Sequence, residues 1–151
     1  MIASYAHAEM PQVGTIVPPY PQGLAENEGA CVGSGDALRV CEYSIGILSD
    51  ASGKPLWILA KHFERYDEAG RPYSLVTDVL AYPHTSGSRV LLLWTCLFRN
   101  EPDASVMALV KNPAAQAKPA SDWAYKVDLS TGKFVRLNPR DVTCYEPQGD
   151  D

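Results

Sequence analysis

Trp123, Tyr125, Val127 and Leu129 alternate with Ala124, Lys126 and Asp128, the period of two expected of a half-buried β-strand. The same reading divides the chain from residue 37 onward into strands and turns. Residues 38–48 carry Val40, Tyr43, Ile45 and Ile47. Residues 55–66 set Trp57, Leu59 and Phe63 on one face against Leu56, Ile58 and Ala60 on the other. Residues 73–82 form a third strand and 89–98 a fourth. The unbroken run Val90-Leu91-Leu92-Leu93-Trp94 predicts a central strand covered on both faces. Residues 105–111, the alternating segment 123–129, its hairpin partner 133–138 and a short last strand over 141–145 complete the set. No long segment carries a helical stripe. The expected fold is all-β: an antiparallel meander of seven to eight strands, over residues 37–146, forming a barrel or a sandwich.

The breaks between strands have their own chemistry. Asp50-Ala51-Ser52-Gly53-Lys54 and Asp67-Glu68-Ala69-Gly70-Arg71 share an Asp-x-x-Gly-cation form, and Ser130-Thr131-Gly132-Lys133 shares its end. A type I turn followed by a left-handed Gly is a common hairpin loop, and an Asp side chain bonds such a turn. These are therefore expected to be hairpin punctuation rather than phosphate loops. Repeated turns suggest propeller blades, but 151 residues are too few for four four-stranded blades.

Residues 9–36 read differently. Pro11, Pro18, Pro19, Pro21 and Gly23 precede Glu26-Asn27-Glu28, and no period of 2 or 3.6 holds. An irregular Pro-rich arm lying across the domain is expected there. Residues 112–122 (NPAAQAKPASD) form a connection without an apolar stripe, and the tail 147–151 is expected to fray.

Composition bears on compartment and partners. Hydrophobic residues are 46% and charged residues 21%, a globular balance. The net charge of −5 argues against a nucleic-acid binder, and no apolar run is long enough to span a membrane. Ala6-His7-Ala8 has the small-x-small form of a signal-peptidase site, so residues 1–8 read as a signal-peptide remnant or as residues foreign to the mature chain. The cysteines are even in number, Cys31, Cys41, Cys96 and Cys144, and lack Cys-x-x-Cys spacing. Four cysteines admit three pairings. A Cys31–Cys41 bridge is a local staple, and a Cys96–Cys144 bridge closes a loop of about 48 residues, worth about 3–4 kcal/mol on the chain-entropy model. That second bridge brings the last strand beside the fourth and favours a curled, closing sheet. Together these features point to a periplasmic or secreted protein with disulfide bonds.

Candidate chemistry is sparse. His62 shares a strand face with Leu56, Ile58 and Ala60, and His84 sits in a turn. Ser86, His62 and Asp78 supply the residue types of a Ser-His-Asp triad, but no Gly-x-Ser-x-Gly elbow accompanies them. No metal-ligand spacing, calcium loop or nucleotide loop is present, so neither a metal nor a cofactor is expected. What stands out is surface. Glu64 to Tyr73 gathers Tyr66, Asp67, Glu68, Arg71 and Tyr73, rich in the Tyr and Arg that concentrate binding energy at interfaces. The turn at 83–89 adds His84, Ser86 and Arg89. In a meander these two loops fall at opposite ends.

The expectation is a non-enzymatic periplasmic protein that binds another protein. Its role would be that of an inhibitor or immunity protein acting on a cell-wall-degrading enzyme or a secreted toxin. Such enzymes are often basic, and a net charge of −5 would steer encounter. Tyr66, Asp67 and Glu68 are the first residues to test, then His84 and Ser86. The alternatives are a small-ligand-binding β-barrel and an accessory domain of an envelope complex docked through its Pro-rich arm.

Overall fold

A computed structural model describes residues 9–32 and 41–148. The presumed signal-peptide remnant at 1–8, the Gly-rich loop from 33, the predicted strand start at 38–40 and the end of the tail at 149–151 lie outside the described residues. Within them the chain forms β1 (Ile16–Val17), β2 (Ala25–Val32), β3 (Tyr43–Ser49), β4 (Pro55–Tyr66), β5 (Pro72–Ala81), β6 (Arg89–Leu93) and β7 (Cys96–Phe98). It continues with β8 (Glu101–Pro102), β9 (Val106–Lys111), β10 (Lys118–Pro119), β11 (Ala124–Asp128), β12 (Lys133–Arg136) and β13 (Val142–Cys144). One 3-10 turn, Pro139–Asp141, precedes β13.

All strand pairs are antiparallel and fall into three sheets, ordered β1-β5-β4-β3-β2, β12-β11-β9-β6 and β10-β13-β7-β8. The sheets do not close into a barrel; they stack as a sandwich. Val32, Ile45, Ile47, Ile58 and Ala60 of the first sheet pack on Leu91, Leu93, Met107, Leu109 and Val127 of the second. The opposite face of the second sheet, Leu92, Val106, Ala108, Val110 and Ala124, packs on Cys96, Val142 and Cys144 of the third. The second sheet is thus the middle layer.

That arrangement explains the apolar run at 90–94. β6 is an edge strand of its sheet rather than a central one, yet Leu91, Leu92 and Leu93 are all buried because its sheet has a layer on each side. The expected curling is replaced by a corner. The Thr95 N–H donates to the Leu93 carbonyl at 2.7 Å, across Trp94 with φ at 53°, a tight three-residue turn. The chain then leaves the middle layer, and β7 pairs with β13, with Cys96 opposite Cys144. Both cysteine pairs, Cys31–Cys41 and Cys96–Cys144, stand at disulfide distance. The second pair sits deep in the core between the middle and third layers.

The arm expected to be irregular is so only in part. Val17, Tyr20 and Leu24 cover Leu48, Leu59 and Val76 on the outer face of the first sheet, so the segment does lie across the domain. Residues 25–32, however, add β2 to the edge of that sheet. Only Ala30 and Val32 of this strand reach the inner core, so its polar sequence hides a strand; a sheet edge carries such residues without loss. A bulge between Glu26 and Glu28 re-aims the Glu26 side chain. Glu26 crosses over Gly46 of β3 to pair with Lys61 of β4, whose side chain is 9% exposed against 26% for Glu26. The Tyr20 hydroxyl donates to the other Glu26 oxygen at 3.0 Å. This latch ties the arm, the edge strand and β4 together.

The acidic turns behave as the sequence suggests. Asp50 Oδ1 accepts from the Ser52 N–H and hydroxyl and from the Lys54 N–H. Asp128 Oδ1 accepts from the Ser130 N–H and hydroxyl in the same way. Gly53, Gly70 and Gly132 each take a positive φ, 86°, 81° and 72°.

Candidate functional site

The two surface regions singled out by sequence lie at opposite ends of β5, which at ten residues spans about 33 Å. They form no common patch, as expected, and they differ in character.

The β4–β5 hairpin overhangs its sheet. β3 pairs with β4 as far as Tyr43 opposite His62, and the Phe63 N–H still donates to the Glu42 carbonyl at 2.7 Å. Beyond that point, among the described residues, β4 pairs with β5 alone, Arg65 opposite Tyr73 and Tyr66 opposite Pro72. Among the described residues, 64–73 therefore form a two-stranded ribbon with no further strand beside it. Its tip is locked by Asp67. The carboxylate accepts from the Arg71 N–H at 2.7 Å and from Arg71 Nε at 2.8 Å, and the Gly70 N–H donates to the Asp67 carbonyl at 3.0 Å. The Arg71 backbone N–H, ahead of its guanidinium, holds the Asp67 carboxyl below the ordinary carboxylate range. Asp67, with its side chain only 14% exposed, is thus occupied by its own turn. It shapes the tip, whereas Tyr66, Glu68 and the outer nitrogens of Arg71 are what the tip presents. Tyr66 is 46% exposed and rests on the Phe63 ring at 4.9 Å; the Arg65 guanidinium lies 4.8 Å from the Tyr73 ring. Each tyrosine ring thus has a neighbour within the ribbon, Phe63 for Tyr66 and Arg65 for Tyr73.

The turn at 83–88 is organised from within by Arg89. Its guanidinium donates to the His84 carbonyl at 2.9 Å, the Ser86 carbonyl at 3.1 Å and Asp122 Oδ1 at 2.7 Å. The Ser121 hydroxyl, followed by Arg89, holds the Asp122 carboxyl below its ordinary range. Arg89 is a staple of this loop, while the His84 ring stays on the exposed surface.

The residues of the paper triad do not meet. The His62 ring nitrogens lie 3.4 Å from Glu42 and 3.4 Å from Glu64, with the Tyr43 ring at 4.8 Å. Asp78 accepts from the Phe134 N–H at 2.8 Å, tying the first sheet to the β11–β12 hairpin, and the Ser86 hydroxyl faces Arg89. Among the described residues no group of His, Cys, Asp and Glu is arranged to hold a metal, and no helix is long and apolar enough to cross a membrane.

Sequence reasoning passed over Lys61, Glu26 and Trp94. The signal for Lys61 was present: the face formed by Trp57, Leu59 and Phe63 skips residue 61, and a charge in that register has to find a partner. Trp94, exposed at a corner with positive φ, has no sequence signal. No family model, curated protein or solved structure matches the chain.

Proposed function

We propose that this is a periplasmic or secreted protein that acts by contact, inserting the 64–73 hairpin into a cleft of a basic partner such as a cell-wall hydrolase or a toxin. One observation carries the reading: a ribbon that leaves its sheet, with a self-bonded Asp67–Arg71 tip presenting Tyr66 and Glu68 on fixed backbone. Preorganised loops of this kind lose little entropy on binding, and a central Tyr or Arg anchor supplies most of the energy of such interfaces. The net charge of −5 favours encounter with a cationic partner. Two cysteine pairs at disulfide distance support an oxidising compartment.

The test is to titrate the purified chain into assays of several basic muramidases and amidases, alongside Tyr66→Ala. Inhibition of at least one enzyme is expected. The Tyr66→Ala variant should weaken it by about 30-fold or more, the 2 kcal/mol expected of an interface anchor. Undiminished hydrolysis across the panel, or equal inhibition by the variant, would refute the hairpin's role.

A further inference from the structure

Six strands form the edges of the three sheets: β1 and β2, β12 and β6, β10 and β8. Five of them carry what keeps a bare edge from recruiting a neighbour. β2 holds Glu26 and Glu28 with a bulge between them, and β12 holds Lys133 and Arg136. β8 is Glu101–Pro102, β10 is Lys118–Pro119, and β1 is two residues long and runs into Pro18. Charge, proline, bulging and shortness are the ordinary blocks to strand addition. β6, Arg89-Val90-Leu91-Leu92-Leu93, lacks them. Its one charge, Arg89, is turned back onto His84, Ser86 and Asp122. Val90 is 43% exposed.

The adjoining strand fixes which backbone groups of β6 point outward. The Leu109 N–H donates to the Trp123 carbonyl at 3.0 Å and the Leu109 carbonyl accepts from the Ser121 N–H at 2.9 Å, so Leu109 turns its groups away from β6. Ala108 and Val110 turn theirs toward it, opposite Leu92 and Val90. Arg89, Leu91 and Leu93 therefore aim outward. Two of their six groups are bonded within the chain: the Arg89 N–H donates to the Gly87 carbonyl at 2.8 Å, and the Leu93 carbonyl accepts from the Thr95 N–H at 2.7 Å. The Leu91 N–H and carbonyl, the Leu93 N–H and the Arg89 carbonyl meet no hydrogen-bond partner among the described residues.

We infer that this edge pairs with the same edge of a second copy of the chain, antiparallel, with Leu91 opposite Leu91. A two-fold axis there lets the two Leu91 residues exchange N–H and carbonyl, while each Leu93 N–H meets the other chain's Arg89 carbonyl. The two groups already bonded within each chain, the Arg89 N–H and the Leu93 carbonyl, then face each other and need nothing. An unrelated strand would bring them a carbonyl and an N–H for which they have no use. The same register sets the exposed Val90 beside the other chain's Leu92 and joins two middle layers into one sheet. The 64–73 hairpin takes no part, so this pairing and the proposed function can each fail alone.

Sedimentation velocity of the full chain over a concentration series tests this, read together with amide hydrogen exchange. A reversible monomer–dimer equilibrium is expected, with a dissociation constant below about 100 µM. The Leu91 and Leu93 amides should exchange at least about tenfold more slowly in the dimer than in the monomer. Val90→Lys puts a cation on the edge at an exposed position, so the fold is kept and association should weaken at least about tenfold. Val135→Lys, exposed on β12 at the opposite edge of the same sheet, should leave association unchanged. A chain still monomeric at about 100 µM would overturn the assignment. So would a dimer whose Leu91 and Leu93 amides exchange as in the monomer, or one that Val90→Lys leaves intact or Val135→Lys breaks.

Discussion

Replacing Gly46 by Ala should destabilise the protein through a residue that Gly46 does not itself bond. An added Cβ would overlap Glu26 Oε1 and fall 2.8 Å from Glu26 Cδ and 3.2 Å from Lys61 Nζ. The carboxylate must swing away, which its flexible side chain allows sterically. Lys61 is then left without its partner in a site where its side chain is 9% exposed. Stranding one member of a fully buried pair costs about 3–5 kcal/mol. Here Glu26 is about a quarter exposed and regains water, and the Lys61 stem has some freedom to reach solvent, so about 2 kcal/mol is the better figure. Replacing Gly by Ala in a strand returns about 0.5–1 kcal/mol. The net expectation is a loss of about 1–1.5 kcal/mol, read from urea unfolding as a lower midpoint at unchanged slope. The decisive measurement is a double-mutant cycle with Glu26→Ala. In that background the pair is already gone and the slot above residue 46 is empty, so Gly46→Ala should stabilise by about 0.5–1 kcal/mol, a coupling of about 2 kcal/mol. Additive losses would refute the idea that Gly46 exists to admit the Glu26 carboxylate.

Two further outcomes follow from the same structure. Cys96→Ala with Cys144→Ala removes a bridge spanning 48 residues and should cost about 4 kcal/mol on the chain-entropy model, lowering the melting temperature by about 8–16 °C; a shift under about 3 °C would contradict a formed bridge. Asp50, Asp67 and Asp128 all have carboxyls held below the ordinary value of 3.8, chiefly by the Ser52 hydroxyl, the Arg71 N–H and the Ser130 hydroxyl respectively. Their folded values lie below their unfolded ones, so the stability they contribute is complete above about pH 4 and lost as pH falls through the folded values. A variant with Asn at all three positions should show a flatter loss of stability as pH falls below about 4, and a limb parallel to wild type would argue against these turns as the source.

Much of the architecture was legible because period-two alternation and Asp/Gly turns are local signals. The strands at 55–66 and 105–111 and the hairpin at 123–138 fell close to where the alternation put them. Layering was not legible. Within the apolar run 90–94 only Leu91, Leu92 and Leu93 are buried, and a central strand and an edge strand of a middle layer give the same buried triplet. β2 was missed because an edge strand whose outer half faces polar surroundings has no apolar alternation to display. The corner at Trp94–Thr95 depends on a positive φ at a residue type that rarely adopts it, so composition gave no warning. At the hairpin, residue types singled out a segment but could not show which side chains bond within their own turn. Asp67 and Arg89, singled out as contact residues, also bond the backbone of their own loops, which composition could not show because those backbone groups come close only in the folded turn.

The account rests on a cross-linked β-sandwich of an oxidising compartment, and non-reducing peptide mapping of the native chain tests that most directly. Two linked peptide pairs are predicted, one joining Cys31 to Cys41 and one joining Cys96 to Cys144. Four alkylatable thiols, or a bridge joining either of the first two cysteines to either of the last two, would contradict it.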